Sequence, residues 1–205
     1  MPYLKNNIID YVTHYYDRKA IPFRSLSSLS NEKAIKLMKS MYDEYNEETG
    51  FSIRFKNPIQ YLNNRRDTEK WVRNEFIKKG GKPTKKHPIY TVLGESKWLK
   101  KQKPKNIEEA IIKLPLSIFK ESDISFTYPD SMVSKWLSQS KPEKLYNKIY
   151  HGKIFLMSEI LDIVNQKGIP EEDWKLNLPE NIAPYIEGQI WNYLPILEYI
   201  KGLEL

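Results

Sequence analysis

The chain has 205 residues, a formal charge of +7 and no cysteine. That length suits one domain able to bury a core without a metal or crosslink, and the missing thiols exclude disulfides, thiolate zinc sites and cysteine nucleophiles. The opening MPYLKNNIID lacks the basic and apolar regions of a signal peptide, and no stretch approaches the ~20 apolar residues of a membrane span, so the expectation is a soluble, cytoplasmic protein with no membrane partner.

From Tyr3 to Asp17, Leu4, Ile8, Tyr11, Val12 and Tyr15 recur at helical spacing and predict an amphipathic helix. Ile21–Ser30 (IPFRSLSSLS) reads as extended. Ser30 is a fitting N-cap for a second helix with Ala34, Leu37, Met38, Met41, Tyr42 and Tyr45 on one face, and Gly50 ends the turn after it. Phe51–Phe55 (FSIRF) alternates and reads as a strand. Asn57-Pro58, a cap followed by an N1 proline, opens a long third helix that runs to about Lys79 and stops at Gly80-Gly81. Further strands are expected over Ile89–Gly94, Ala110–Phe119, Ile124–Tyr128, Gly152–Leu156 and Tyr185–Trp191. Asp130 is placed to cap a helix over Ser131–Leu137, another helix runs from Ser158 to Gly168, and a short one lies around Pro195–Lys201. The sum is an α+β fold with a mainly antiparallel sheet, its helices concentrated in the N-terminal third plus a short C-terminal helix. It is one domain over 1–205, with 1–50 a helical part packed on a mixed core of 51–205.

The charge is concentrated. Between Lys78 and Lys105 stand ten lysines and one acid, Glu95, a local +9 that leaves −2 on the remainder of the +7 chain. Such a run can attract phosphate backbones or simply be a solvated surface, and its lack of arginine and scarcity of aromatics argue against base-specific reading. A basic nucleic-acid-binding module and a non-enzymatic protein-interaction domain are therefore standing alternatives to an enzyme.

Three places could carry chemistry. On the third helix Arg65 and Glu69, four residues apart, fall on the same stripe as Leu62, Val72 and Phe76, where charges must be paired or line a ligand cavity. In Ile124–Tyr128 the alternation puts Ser125 and Thr127 on the face opposite Ile124, Phe126 and Tyr128. In YIEGQIW, Ile186 and Ile190 face the core with Gly188 between them. Tyr185, Glu187, Gln189 and Trp191 then share the other face, a carboxylate and an amide between two aromatics, as in the lining of a small-molecule site. Of the histidines, His14, His87 and His151, the last stands beside Gly152 and is the better candidate for an active role. None has a metal-ligand partner at helical spacing, so no metal is expected. Nucleophile-elbow, P-loop and dinucleotide glycine motifs are absent.

The order of a basic residue near the start, a strand with hydroxyls midway and a glutamate on a late strand resembles the ADP-ribosyltransferase family. The resemblance implies that Arg24 in IPFRSLS, or His14 in its place, helps hold NAD, that Ser125 and Thr127 support the pocket, and that Glu187 polarises the nicotinamide ribose as the catalytic residue. The family commonly puts its glutamate second in an (E/Q)-x-E pair, whereas here Glu187 precedes Gln189. The expected ligand is a nucleotide or other small molecule, with Tyr185, Gln189, Arg65, Glu69 and His151 as further candidates for binding it. Substrate and oligomeric state are not specified by any motif.

Overall fold

In the computed structural model, residues 9–18, 20–45, 53–102, 108–169 and 182–203 are described. Five strands, β1 (Tyr11–Asp17), β2 (Ile89–Leu93), β3 (Glu109–Pro115), β4 (Ile124–Thr127) and β5 (Glu187–Ile190), form one antiparallel sheet in the spatial order β3-β1-β2-β5-β4. The helices are α1 (Asn31–Tyr45), α2 (Pro58–Lys78), α3 (Lys97–Lys101), α4 (Ser131–Ser140), α5 (Met157–Lys167) and α6 (Leu194–Leu203). The fold is thus α+β, but its helices are spread along the chain and not gathered in the first third. Among the described residues no helix is long and apolar enough to cross a membrane.

Several element readings need correction: the strand expected over Ala110–Phe119 ends at Pro115 and gives way to a 3-10 turn at Leu116–Ile118, and the extended Ile21–Ser30 contains a 3-10 turn at Leu26–Ser28. Residues 11–17 form β1, not the end of a helix, so the 1–50 segment is not purely helical; residues 3–8 of that expected helix lie outside the described residues. Flanked by β3 and β2, β1 shows no period-two alternation, and its Tyr, Val and Thr content is what favours a strand. Ile53–Phe55 is a 3-10 turn whose Phe55 closes the α1–α2 interface against Ala34, Met38 and Leu62. Of Gly152–Leu156 only Phe155 pairs, exchanging 2.9 Å backbone hydrogen bonds with Phe126, because the next turn already opens α5. Gly50 lies outside the described residues. The helix α3 went unread in the lysine-rich segment, although Ser96 caps it by accepting from the Leu99 N–H at 3.1 Å.

Helices cover both faces of the sheet. On one, Ile124, Phe126, Ile186 and Ile190 pack with Ile160 of α5 and Ile196 of α6. On the other, Val72 and Phe76 of α2 close over Trp191 and Ile154. Asn57 caps α2 by accepting from the Gln60 N–H at 3.2 Å, with Pro58 at the first turn, so the helix starts where its stripe can run over β5. Its buried residues are Pro58, Leu62, Arg65, Thr68, Glu69, Val72 and Phe76, the expected stripe with both charges included. Gly188 has no alternative: a Cβ there would lie 2.5 Å from Thr91 Oγ1 and 3.2 Å from the Phe126 ring. This close contact sets the register in which Glu187 sits between Val92 and Thr127.

Candidate active site

Glu187, at the start of β5, is 2 % exposed and forms part of the wall of a cavity of about 610 Å³. Its Oε2 accepts from Arg65 Nη2 at 3.1 Å, and its Oε1 from Ser131 Oγ at 2.6 Å and from Gln189 Nε2 at 3.1 Å. Arg65 is reached from α2 and is itself buried. It also donates to Ser131 Oγ at 3.3 Å, lies 3.9 Å from Asp130 Oδ2, and places its guanidinium carbon 3.7 Å from the centre of the Tyr90 ring. Asp130 does two things at once. Its Oδ1 caps α4, accepting from the Met132 and Val133 N–H groups at 3.0 and 3.2 Å, while its Oδ2 accepts from the Tyr185 hydroxyl at 3.4 Å.

The two carboxyls titrate apart. Burial, set against the pull of Arg65 but reinforced by Asp130, lifts Glu187 from 4.5 to about 7. Burial also opposes the charge on Asp130, but Arg65 and Arg54 outweigh it and hold the group below its ordinary value. Two buried carboxyls this close resist ionising together, so one keeps its proton more readily than the other. That one is Glu187. A pair of acids separated in this way provides a general acid–base group beside a fixed negative charge. Arg65 loses to burial but gains more from Glu187, Tyr90, Tyr61 and Asp130, and stays charged.

The positions singled out from sequence fall into three groups. Glu187, Arg65, Tyr185 and Arg24 line the cavity, Arg24 as an exposed side chain at its rim. Ser125, Thr127 and Gln189 do not line it, which corrects the expectation of an open polar strand face: α2 covers that face. There Trp191 Nε1 donates to Ser125 Oγ at 2.9 Å, Ser125 donates to Gln189 Oε1 at 2.9 Å, and Gln189 Nε2 donates to Thr127 Oγ1 at 3.0 Å. This buried chain ends on Glu187 and orients it. Glu69 also lies behind the cavity wall. Its Oε1 accepts from Ser27 and Tyr90 hydroxyls, both at 2.5 Å, its Oε2 meets His87 Nδ1 at 2.6 Å, and Arg65 Nε is farther away at 4.0 Å.

His151 is elsewhere altogether, its Nδ1 accepting from the Asn147 N–H at 3.0 Å and its pKa lowered by burial to about 4. His14 lines the cavity as a structural acceptor: Nε2 takes the Phe23 N–H and Nδ1 faces the Tyr90 carbonyl, both at 2.9 Å. The sequence reading missed Asp130, Ser131, Tyr90 and Arg54 as site residues. For Asp130 and Ser131 the signal existed, since pairing β4 with β5 brings the residues after Pro129 alongside Glu187; Tyr90 and Arg54 arrive only through the tertiary fold. Among the described residues no group of three histidine or acidic side chains could hold a metal ion.

No family model, curated protein or solved structure matches this chain.

Proposed function

We propose that the protein is a glycosyl-type transferase that takes NAD into this cavity, with Glu187 as the catalytic residue. The observation that carries the reading is Glu187 itself: a carboxyl lifted to about 7, in a cavity wall, 3.1 Å from a buried arginine and beside a second carboxyl held below its usual range. The cavity has the size of small-molecule sites and a lining of mixed sign, with Arg24, Arg54 and Arg65 against Asp17, Glu44, Asp130 and Glu187. NAD has the same mixture, a cationic nicotinamide ring and an anionic diphosphate. The carboxyl pair suits the ring and its ribose, the half-buried Arg54 and exposed Arg24 the diphosphate, and Tyr61, Tyr90 and Tyr185 offer flat apolar walls.

In the transfer, the bond from C1′ to the ring nitrogen breaks, nicotinamide leaves with the bonding pair, and C1′ becomes cationic. Ionised Asp130 and Glu187 stabilise that charge, and the entering positive ring favours the ionised form of Glu187. An acceptor hydroxyl or nitrogen then bonds to C1′ and gives its proton to Glu187. The hydroxyl strand of the ADP-ribosyltransferase pattern acts here at one remove, through Gln189.

Calorimetry and thermal shift with NAD and ADP-ribose, beside an assay of nicotinamide release, test the reading on wild type and Glu187→Gln. Binding to both forms with release lost by a factor of ~100 or more in the variant is the expected result. The rate should rise with pH through about 7, where Glu187 gains its basic form. No response to either nucleotide at millimolar concentration would remove the enzyme reading.

A further inference from the structure

The lysine-rich segment does not form one patch. Thr84 and Lys85 donate backbone N–H groups to the Trp191 carbonyl, at the end of β5 away from Glu187, so Lys82, Lys85 and Lys86 lie before β2 begins. Lys97, Lys100 and Lys101 follow β2, on the short helix α3, and all three are exposed. That second half adjoins the cavity. Trp98 of α3 is half-buried and tilts against the Tyr185 ring at 6.1 Å, and the Arg54 guanidinium carbon lies 5.6 Å from the centre of the Trp98 ring. Arg54, Tyr185 and Leu99 are themselves part of the cavity lining.

We propose that this α3 rim binds a single-stranded polynucleotide, which makes a nucleic-acid strand the acceptor of the transfer. In naming the acceptor the inference rests on the transferase reading; the strand-binding surface stands without it. An indole and a guanidinium in contact are flat groups of the kind on which bases stack, and lysines on the next turn neutralise phosphates. Acids do stand among these groups: Glu95 pairs with Lys100 and, at 2.6 Å, with Lys113, Glu109 lies within electrostatic reach of Lys100, and Asp130 acts on Arg54. Stacking needs exposed base faces, which a duplex hides, so single strands are the better partner. A base stacked at Trp98 places the adjoining nucleotide at the cavity mouth, where a ring nitrogen or hydroxyl is the group that bonds to C1′ and loses its proton to Glu187. Arginine was missing from the lysine run itself, but Arg54 supplies it from the turn before α2.

The test is fluorescence anisotropy of the full chain with short labelled oligouridylate, oligothymidylate and a matching duplex, at low and moderate salt. Single strands should bind at least ~10-fold more tightly than the duplex, with the logarithm of the affinity falling by about 0.7 per neutralised phosphate for each tenfold rise in salt. The Lys97→Glu/Lys101→Glu pair and Trp98→Ala should each weaken binding roughly tenfold or more, with Trp98→Phe retaining most of it as a control for folding. Reversal of Lys82, Lys85 and Lys86 should change it less than about threefold. Binding that is absent at low salt, that prefers the duplex, or that survives both α3 variants overturns the proposal. Labelled ADP-ribose that appears on protein and not on the oligonucleotide overturns the acceptor while leaving the NAD reading intact. Strand binding without any response to NAD does the reverse.

Discussion

Glu187 carries its proton up to about pH 7 in the folded chain and loses it near 4.5 when unfolded. The folded state therefore binds the extra proton between those values, and the contribution of Glu187 to stability, complete below about 4.5, is lost as pH rises through 7. At ~1.4 kcal/mol per unit this is a few kcal/mol. Chemical denaturation of wild type against Glu187→Gln should show the slope in one and not in the other; equal slopes would mean that the carboxyl is solvated. His14 works in the opposite sense. Burial lowers its pKa below 6.5, so the unfolded chain takes up the proton first and stability is lost as pH falls from 6.5 toward the folded value. Protonation would also set an N–H against the Phe23 N–H it now accepts, in a segment where Phe23 has φ of 60°. Glu69 was legible as a buried charge from its place on the α2 stripe, but its partners were not. It satisfies Ser27, Tyr90 and His87 from three other segments, and Arg65 only distantly. Glu69→Ala should accordingly cost roughly 3 kcal/mol or more by stranding those groups, and an unchanged denaturation midpoint would contradict it.

At the scale of elements, the site depends on α2 and β5 meeting in one register. Caps, an N1 proline and an apolar stripe made α2 readable nearly to the residue, because each is a local cue. The alternation in β4 and β5 was readable for the same reason, but whether the polar face met water or a helix was not, since that depends on which element packs there. The amide of Gln189 spans the two strands, from Ser125 and Thr127 to Glu187, which turns a row of polar side chains into an internal brace. β1 displays no alternation of apolar and polar residues, and its Tyr and Val positions, with Leu4 and Ile8 before them in the sequence, fit a helical spacing equally well. Gly188→Ala tests the register directly. The added methyl meets Thr91 Oγ1 and the Phe126 ring, and overpacking there should cost about 1–3 kcal/mol and disturb Glu187, seen as a lower melting temperature together with lost ligand response.

Across the whole molecule, the parts of the site come from distant stretches of chain: Arg54 and Arg65 early, Tyr90 on β2, Asp130 and Ser131 after β4, and Glu187 late. The strand expected over Ile89–Gly94 already divides the lysine run in two, but that its second half adjoins the cavity through Trp98 and Leu99 is a tertiary fact. The strand order β3-β1-β2-β5-β4 has a bearing on synthesis. The two neighbours of β5 both leave the ribosome before it does, so until residues 187–190 emerge each presents a bare row of amide and carbonyl groups toward a gap one strand wide. A nascent chain stalled in that interval carries two sticky seams facing each other across an empty slot. Slow codons or a chaperone acting just before that strand would therefore bear on the yield of native protein.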